Sequence, residues 1–119
     1  MIHAMLGKTL RQKREALKAT DRAYSLRQVA LRVGIEPAYL SKIERGDVAP
    51  PGEGTIKKLA VELNLDADVL LALAGKISTD LQEVIRKRPQ LFAELIRQLK
   101  EAPDHAILSV VREVSDGDW

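Results

Sequence analysis

Apolar residues recur at helical spacing along the chain, most sharply between Ser25 and Gly46, SLRQVALRVGIEPAYLSKIERG. Leu26, Val29, Ala30 and Val33 stand at i, i+3, i+4 and i+7, which predicts a short helix with one buried face. Ser25 sits where an N-cap oxygen would take up free backbone N–H groups, and Gly34 follows the last stripe residue as a left-handed stop. Ile35 plugs the corner. Pro37 brings a preset first-turn φ, so a second helix begins almost at once.

On that second helix the turn of 100° per residue places Leu40, Ile43 and Glu44 on one side and Ala38, Ser41, Lys42 and Arg45 on the other. The outer set is small, hydroxylated or cationic, which suits a helix pushed into an anionic groove. Pro37 and Tyr39 flank its leading end, where helix N-termini meet phosphates and base edges.

From Ser25 to Gly46, and most of all in YLSKIERG, the chain resembles the helix-turn-helix of the Cro and phage-repressor-like proteins, the XRE family. With the flanking helices the resemblance covers roughly residues 6 to 74. It implies an all-α fold with a five-helix repressor-like DNA-binding domain over 1–75, and the helical pattern beyond it adds a C-terminal extension of about three helices over 76–119. It also implies that an arginine on the first helix, here Arg14, pairs with the glutamate near the end of the recognition helix, here Glu44. An inward glutamate needs such a partner, and a bidentate guanidinium suits it best. The other reading leaves Arg14 exposed and lets Glu44 cap something local.

The remaining helices follow the same periodicity. Helix 1 is expected from about Leu6 to Leu17, with Leu6, Leu10, Arg14 and Leu17 on one stripe. The connection KATDRAY is longer than the family's tight turn, and either a loop or an extended helix 1 would accommodate it. After Gly46, DVAPPGEGT breaks the chain; the family often places basic residues here, and Asp47 and Val48 depart from that habit. Helix 4 should run from about Gly54 to Leu63. Asp66 caps helix 5, whose Val69, Leu70 and Leu73 are expected inward before Gly75.

Beyond Lys76, Ser78 and Asp80 open helix 6, which ends in Arg86, Lys87 and Arg88. Pro89 starts helix 7, with Leu91, Phe92, Leu95, Ile96 and Leu99 as a broad apolar face. Pro103 and Asp104 start helix 8, carrying Ile107, Leu108, Val110, Val111 and Val114, and SDGDW is read as a tail in which Trp119 is loose or docked on a partner. The five-helix domain already closes on itself, so these faces are assigned to dimerisation, with folding back over the same chain as the competing reading.

Charge sharpens this picture. The net charge is +2, yet residues 1–58 hold twelve lysines and arginines against six acids, +6, and residues 59–119 hold seven against eleven, −4. The basic half carries the helix-turn-helix, as a half that meets phosphate would. No cysteine is present, which excludes disulfides and thiol chemistry. The N-terminus lacks the apolar core of a signal peptide and no run approaches about 18 apolar residues, so a soluble, cytoplasmic protein is expected.

The candidate chemistry is recognition. Lys42 is the leading base contact, since lysine donates to guanine O6 and N7; Ala38 would meet a thymine methyl, with Pro37, Tyr39 and Ser41 beside them. Arg22, Ser25, Arg27, Gln28 and Arg45 are the phosphate candidates, with Arg45 able to divide between phosphate and base edges. Arg27 and Arg32 point off the apolar stripe, and ordinary solvated charge explains them equally well. His3 and His105 lack ligands at i+4, and no phosphate loop or nucleophile elbow occurs, so no catalytic residue, metal site or cofactor is assigned.

Two functions compete. The first is a double-stranded DNA-binding regulator, most simply a repressor acting as a homodimer on a palindromic operator. The second is an antitoxin whose C-terminal helices hold a toxin while the N-terminal domain autoregulates; a regulatory protease is a related partner for the same segment.

Overall fold

Burial follows the helical stripes closely from α1 to α5. The computed structural model describes residues 4–117; His3 and Trp119 lie outside them. Among the described residues are α1 (Ala4–Lys18), α2 (Leu26–Val33), α3 (Pro37–Arg45), α4 (Glu53–Leu63), α5 (Ala67–Leu73), α6 (Thr79–Lys87), α7 (Pro89–Leu99) and α8 (Asp104–Asp116). They form two units, divided after Ser78. The fold is all-α, and no described helix is long and apolar enough to cross a membrane.

The first unit is built on one apolar cluster. Leu6 and Leu10 come from α1, Val29, Ala30 and Val33 from α2, Leu40 and Ile43 from α3, Ile56, Leu59, Ala60 and Leu63 from α4, and Leu70 and Leu71 from α5. α1 packs on α3, α4 and α5, while α2 packs on α3 and α4. The approach of α1 to α3 is close enough to demand a glycine. A β-carbon on Gly7 would run into the main-chain oxygens of Ile43 and Glu44, 2.5 Å from the latter. Past Gly75, Lys76 donates from Nζ to the Pro51 carbonyl at 3.1 Å and Ser78 is buried, so the unit runs on to that residue.

Two expectations need correction. On α5 the buried pair is Leu70 and Leu71, while Val69 is 54% exposed, because the Asp66 cap starts the helix with Leu71 facing the cluster. Ser115 and Asp116 are not tail; they close α8, which ends at a left-handed Gly117. The open question at KATDRAY has a structural answer. Asp21 Oδ1 accepts the Ala23 N–H at 2.9 Å and opens a 3₁₀ turn, Arg22–Tyr24, that leads directly into the Ser25 cap of α2.

The second unit is different in kind. α6 packs on α7, yet α6, α7 and α8 contain no fully buried residue. Leu81, Val84, Leu91, Leu95, Ile96, Leu108, Val111 and Val114 all remain exposed. Arg86 at the basic end of α6 donates to Glu83 Oε1 at 2.7 Å and to Gln82 Oε1 at 3.2 Å along its own helix.

Candidate nucleic-acid interface

Local rules set the angle between α2 and α3. Ser25 Oγ accepts the Gln28 N–H at 3.2 Å, satisfying one of the free donors that begin α2. Gly34 ends it at φ 86°, a conformation a side chain would oppose. The turn is tied by the Gly34 and Ile35 N–H groups, both donating to the Ala30 carbonyl at 2.9 and 3.0 Å. Ile35 packs against the core, and Pro37 opens α3 in its first turn.

α3 buries one flank and offers the other. Leu40, Ile43 and Glu44 are buried, whereas Ala38, Lys42 and Arg45 are exposed and Ser41 is half-buried. Pro37 and Tyr39 are half-buried at the leading end, and Tyr39 packs against the apolar cluster. Of the five base candidates, Ala38 and Lys42 are therefore the most open.

Beneath α3 lies a buried ion pair. Arg14 and Glu44 side chains are each 4% exposed; Arg14 Nε donates to Glu44 Oε2 at 2.7 Å and Nη2 to Oε1 at 2.9 Å. Nη1 also donates to the Tyr24 carbonyl at 3.3 Å, and Nη2 to Glu15 Oε1 at 3.2 Å. The hydrogen bonds to Glu44 hold the guanidinium above its ordinary pKa against the opposing pull of burial. The pair locks the last turn of α3 to α1 and the 3₁₀ turn.

Arg22, Arg27 and Gln28 are exposed around the start of α2, next to the half-buried Ser25. Arg45 is exposed but engaged: Nε donates to Asp47 Oδ2 at 2.8 Å and Nη1 to Ser41 Oγ at 2.7 Å. Arg32 is engaged elsewhere. Its Nε donates to Glu62 Oε2 of α4 at 2.6 Å, and its guanidinium lies 5.4 Å from the centre of the Tyr24 ring. Tyr24 in turn packs against the core. A cleft of about 230 Å³ opens beside α3, lined by Arg11, Arg14, Leu26, Ser41, Glu44 and Arg45.

Three features escaped the sequence pattern. Gly7 had a legible signal, since a glycine inside a helix costs stability and calls for a packing reason. The Arg32–Glu62 and Arg45–Asp47 pairs had none, because charges on different elements or across a turn carry no period that fixes their partners.

Comparison with known proteins agrees with this geometry. The helix-turn-helix family matches residues 10–70. An uncharacterised helix-turn-helix-type transcriptional regulator of Bacillus subtilis (strain 168), RghRB, is 40% identical over 95 residues, covering 80% of this chain. The chain spans about half of that relative's length, 56%. No solved structure matches it.

Proposed function

Because the chain belongs to the XRE-type helix-turn-helix family of DNA-binding transcriptional regulators, we propose that it acts as a cytoplasmic homodimeric repressor on a palindromic operator. The observation that carries this reading is the two-sidedness of α3. Its inner flank is wedged into the core and pinned by Arg14–Glu44, and its outer flank offers Ala38, Ser41 and Lys42 without large apolar groups. Such a helix enters a major groove as a rigid body. Lys42 donates to guanine O6 and N7, Ala38 meets a thymine methyl, and Pro37, Tyr39 and Ser41 complete the edge. Arg22, Arg27, Gln28 and the α2 N-terminus behind Ser25 hold the backbone.

Dimerisation is assigned to the three C-terminal helices, eight of whose large apolar side chains stay exposed in the single chain. Two copies would then read half-sites about 34–36 Å apart. Selection of bound fragments from random duplex tests the whole reading. A two-fold symmetric consensus is expected, and Lys42→Ala should relax one position of each half-site by about 1–3 kcal/mol. A loss equal for every sequence would remove Lys42 from base reading.

A further inference from the structure

The loop residue after α3 is an acid beside the flank that the proposed function turns toward a polyanion. Asp47 follows Gly46, whose φ of 73° closes α3, and its own N–H donates to the Lys42 carbonyl at 2.9 Å. The main chain thus delivers a carboxylate to the C-terminal end of the helix, where the macrodipole disfavours negative charge. There Asp47 Oδ2 accepts from Arg45 Nε at 2.8 Å, while Arg45 Nη1 reaches back one turn to Ser41 Oγ at 2.7 Å. Arg45 and Ser41 also line the cleft beside Arg11. On the floor of that cleft Arg14 and Glu44 neutralise each other, so its remaining cations are Arg11 and Arg45.

We propose that Asp47 is a specificity-determining residue that competes with DNA phosphate for the Arg45 guanidinium. The pair is about half exposed on both sides, and in water such pairs are weak enough to exchange partners. A duplex that fits only loosely leaves Arg45 on Asp47. A duplex seated by base contacts along α3 brings a phosphate oxygen to the cleft and takes the guanidinium over. Asp47 therefore restrains sequence-independent binding more than operator binding and widens the ratio between them. The proposal rests on α3 facing the DNA.

The test measures binding of the full chain to a random-sequence duplex through a salt series, and to the consensus duplex recovered by selection, for wild type, Asp47→Asn, Asp47→Ser, Arg45→Ala and the double variant Asp47→Asn/Arg45→Ala. A gain in the Asp47 variants as large on the consensus as on random sequence would overturn the specificity role. Freed from Asp47, Arg45 neutralises one more phosphate, so either Asp47 variant should bind more tightly at low salt. The slope of log K against log salt should steepen by about 0.9, which is an additional loss of about 3.5-fold between 50 and 200 mM. The double variant should bind no better than Arg45→Ala alone. Unchanged affinity and slope in both Asp47 variants would overturn the proposal. So would a gain that persists without Arg45, since that is a general effect of removing a negative charge. Lys42→Ala separates this proposal from the reading beneath it. If it weakens binding to the selected consensus duplex while the Asp47 variants match wild type on random sequence, only the competition fails; if Lys42→Ala and Arg45→Ala both bind that consensus like wild type, α3 is not the DNA face and both readings fall.

Discussion

The two units follow the same helical grammar and end in opposite states. In the first, the stripes of α1 to α5 converge until thirteen apolar side chains are buried, and the charges left inside are paired. In the second, α6 to α8 carry stripes just as regular, yet none of their residues is fully buried. Amphipathic periodicity specifies a face that wants cover; it does not say whether the cover comes from the same chain. Five short helices can surround a centre, whereas these three leave eight large apolar side chains exposed, which is the surface the proposed association would cover.

The sharpest way to break the first unit is through its buried charge. Glu44→Ala leaves the buried Arg14 only the half-exposed Glu15 carboxylate at 3.2 Å in place of its bidentate partner, and about 3–5 kcal/mol of stability should be lost, read as a fall in the denaturant midpoint. Replacing both partners at once with apolar side chains of similar length, Arg14→Met/Glu44→Leu, should recover most of that loss, because the cost lies in the orphaned charge. A double variant as unstable as Glu44→Ala would show instead that the geometry of the pair is required. Gly7→Ala follows in size. The added methyl meets main-chain oxygens of Ile43 and Glu44, which cannot rotate away, so α1 must back off from α3 at a cost of about 1–3 kcal/mol. Since α3 carries the outer face, operator binding should weaken along with the melting midpoint.

The second unit should respond differently. Ile96 is 56% exposed in the single chain, so Ile96→Asp removes little packing there. If a second copy covers that face, the variant should sediment as a monomer. Wild-type melting would then shift with protein concentration and the variant's would not. A variant that associates like wild type would place the interface off α7.

These contrasts also explain what could be read in advance. The bounds of α2 and α3 were legible because cap, glycine and proline each act within a few residues, and the structure places Ser25, Gly34 and Pro37 in those local roles. An arginine on the apolar stripe of α1 was a legible anomaly as well, and its guanidinium meets Glu44 thirty residues on. Val69 was expected inward and Leu71 was missed because α5 is too short for periodicity to fix its rotation; seven residues give barely two turns. The engagement of Arg45 by Asp47 was invisible for another reason. It depends on where the Gly46 turn points the chain, a matter of dihedral angles that residue identities alone leave open.

The smallest expected effect is the most discriminating, because it compares two leucines that look alike. Leu31 on α2 is 71% exposed and Leu91 on α7 is 68% exposed. Leu31 stands beside Arg27, Gln28 and Glu36 and the half-buried Ile35 and Pro37, so it is the one member of that group that is large, apolar and exposed. Among the described residues, Leu91 shares its unit with seven other exposed large apolar residues. Leu31→Ser should therefore shift stability by no more than about 0.5 kcal/mol and leave self-association untouched, as isolated surface changes do. Leu91→Ser removes the same area from the same kind of exposure, and should weaken association measured by sedimentation. Equal behaviour of the two variants would mean that the row of apolar residues on α6 to α8 is ordinary surface, and the contrast between the units would reduce to a difference in size.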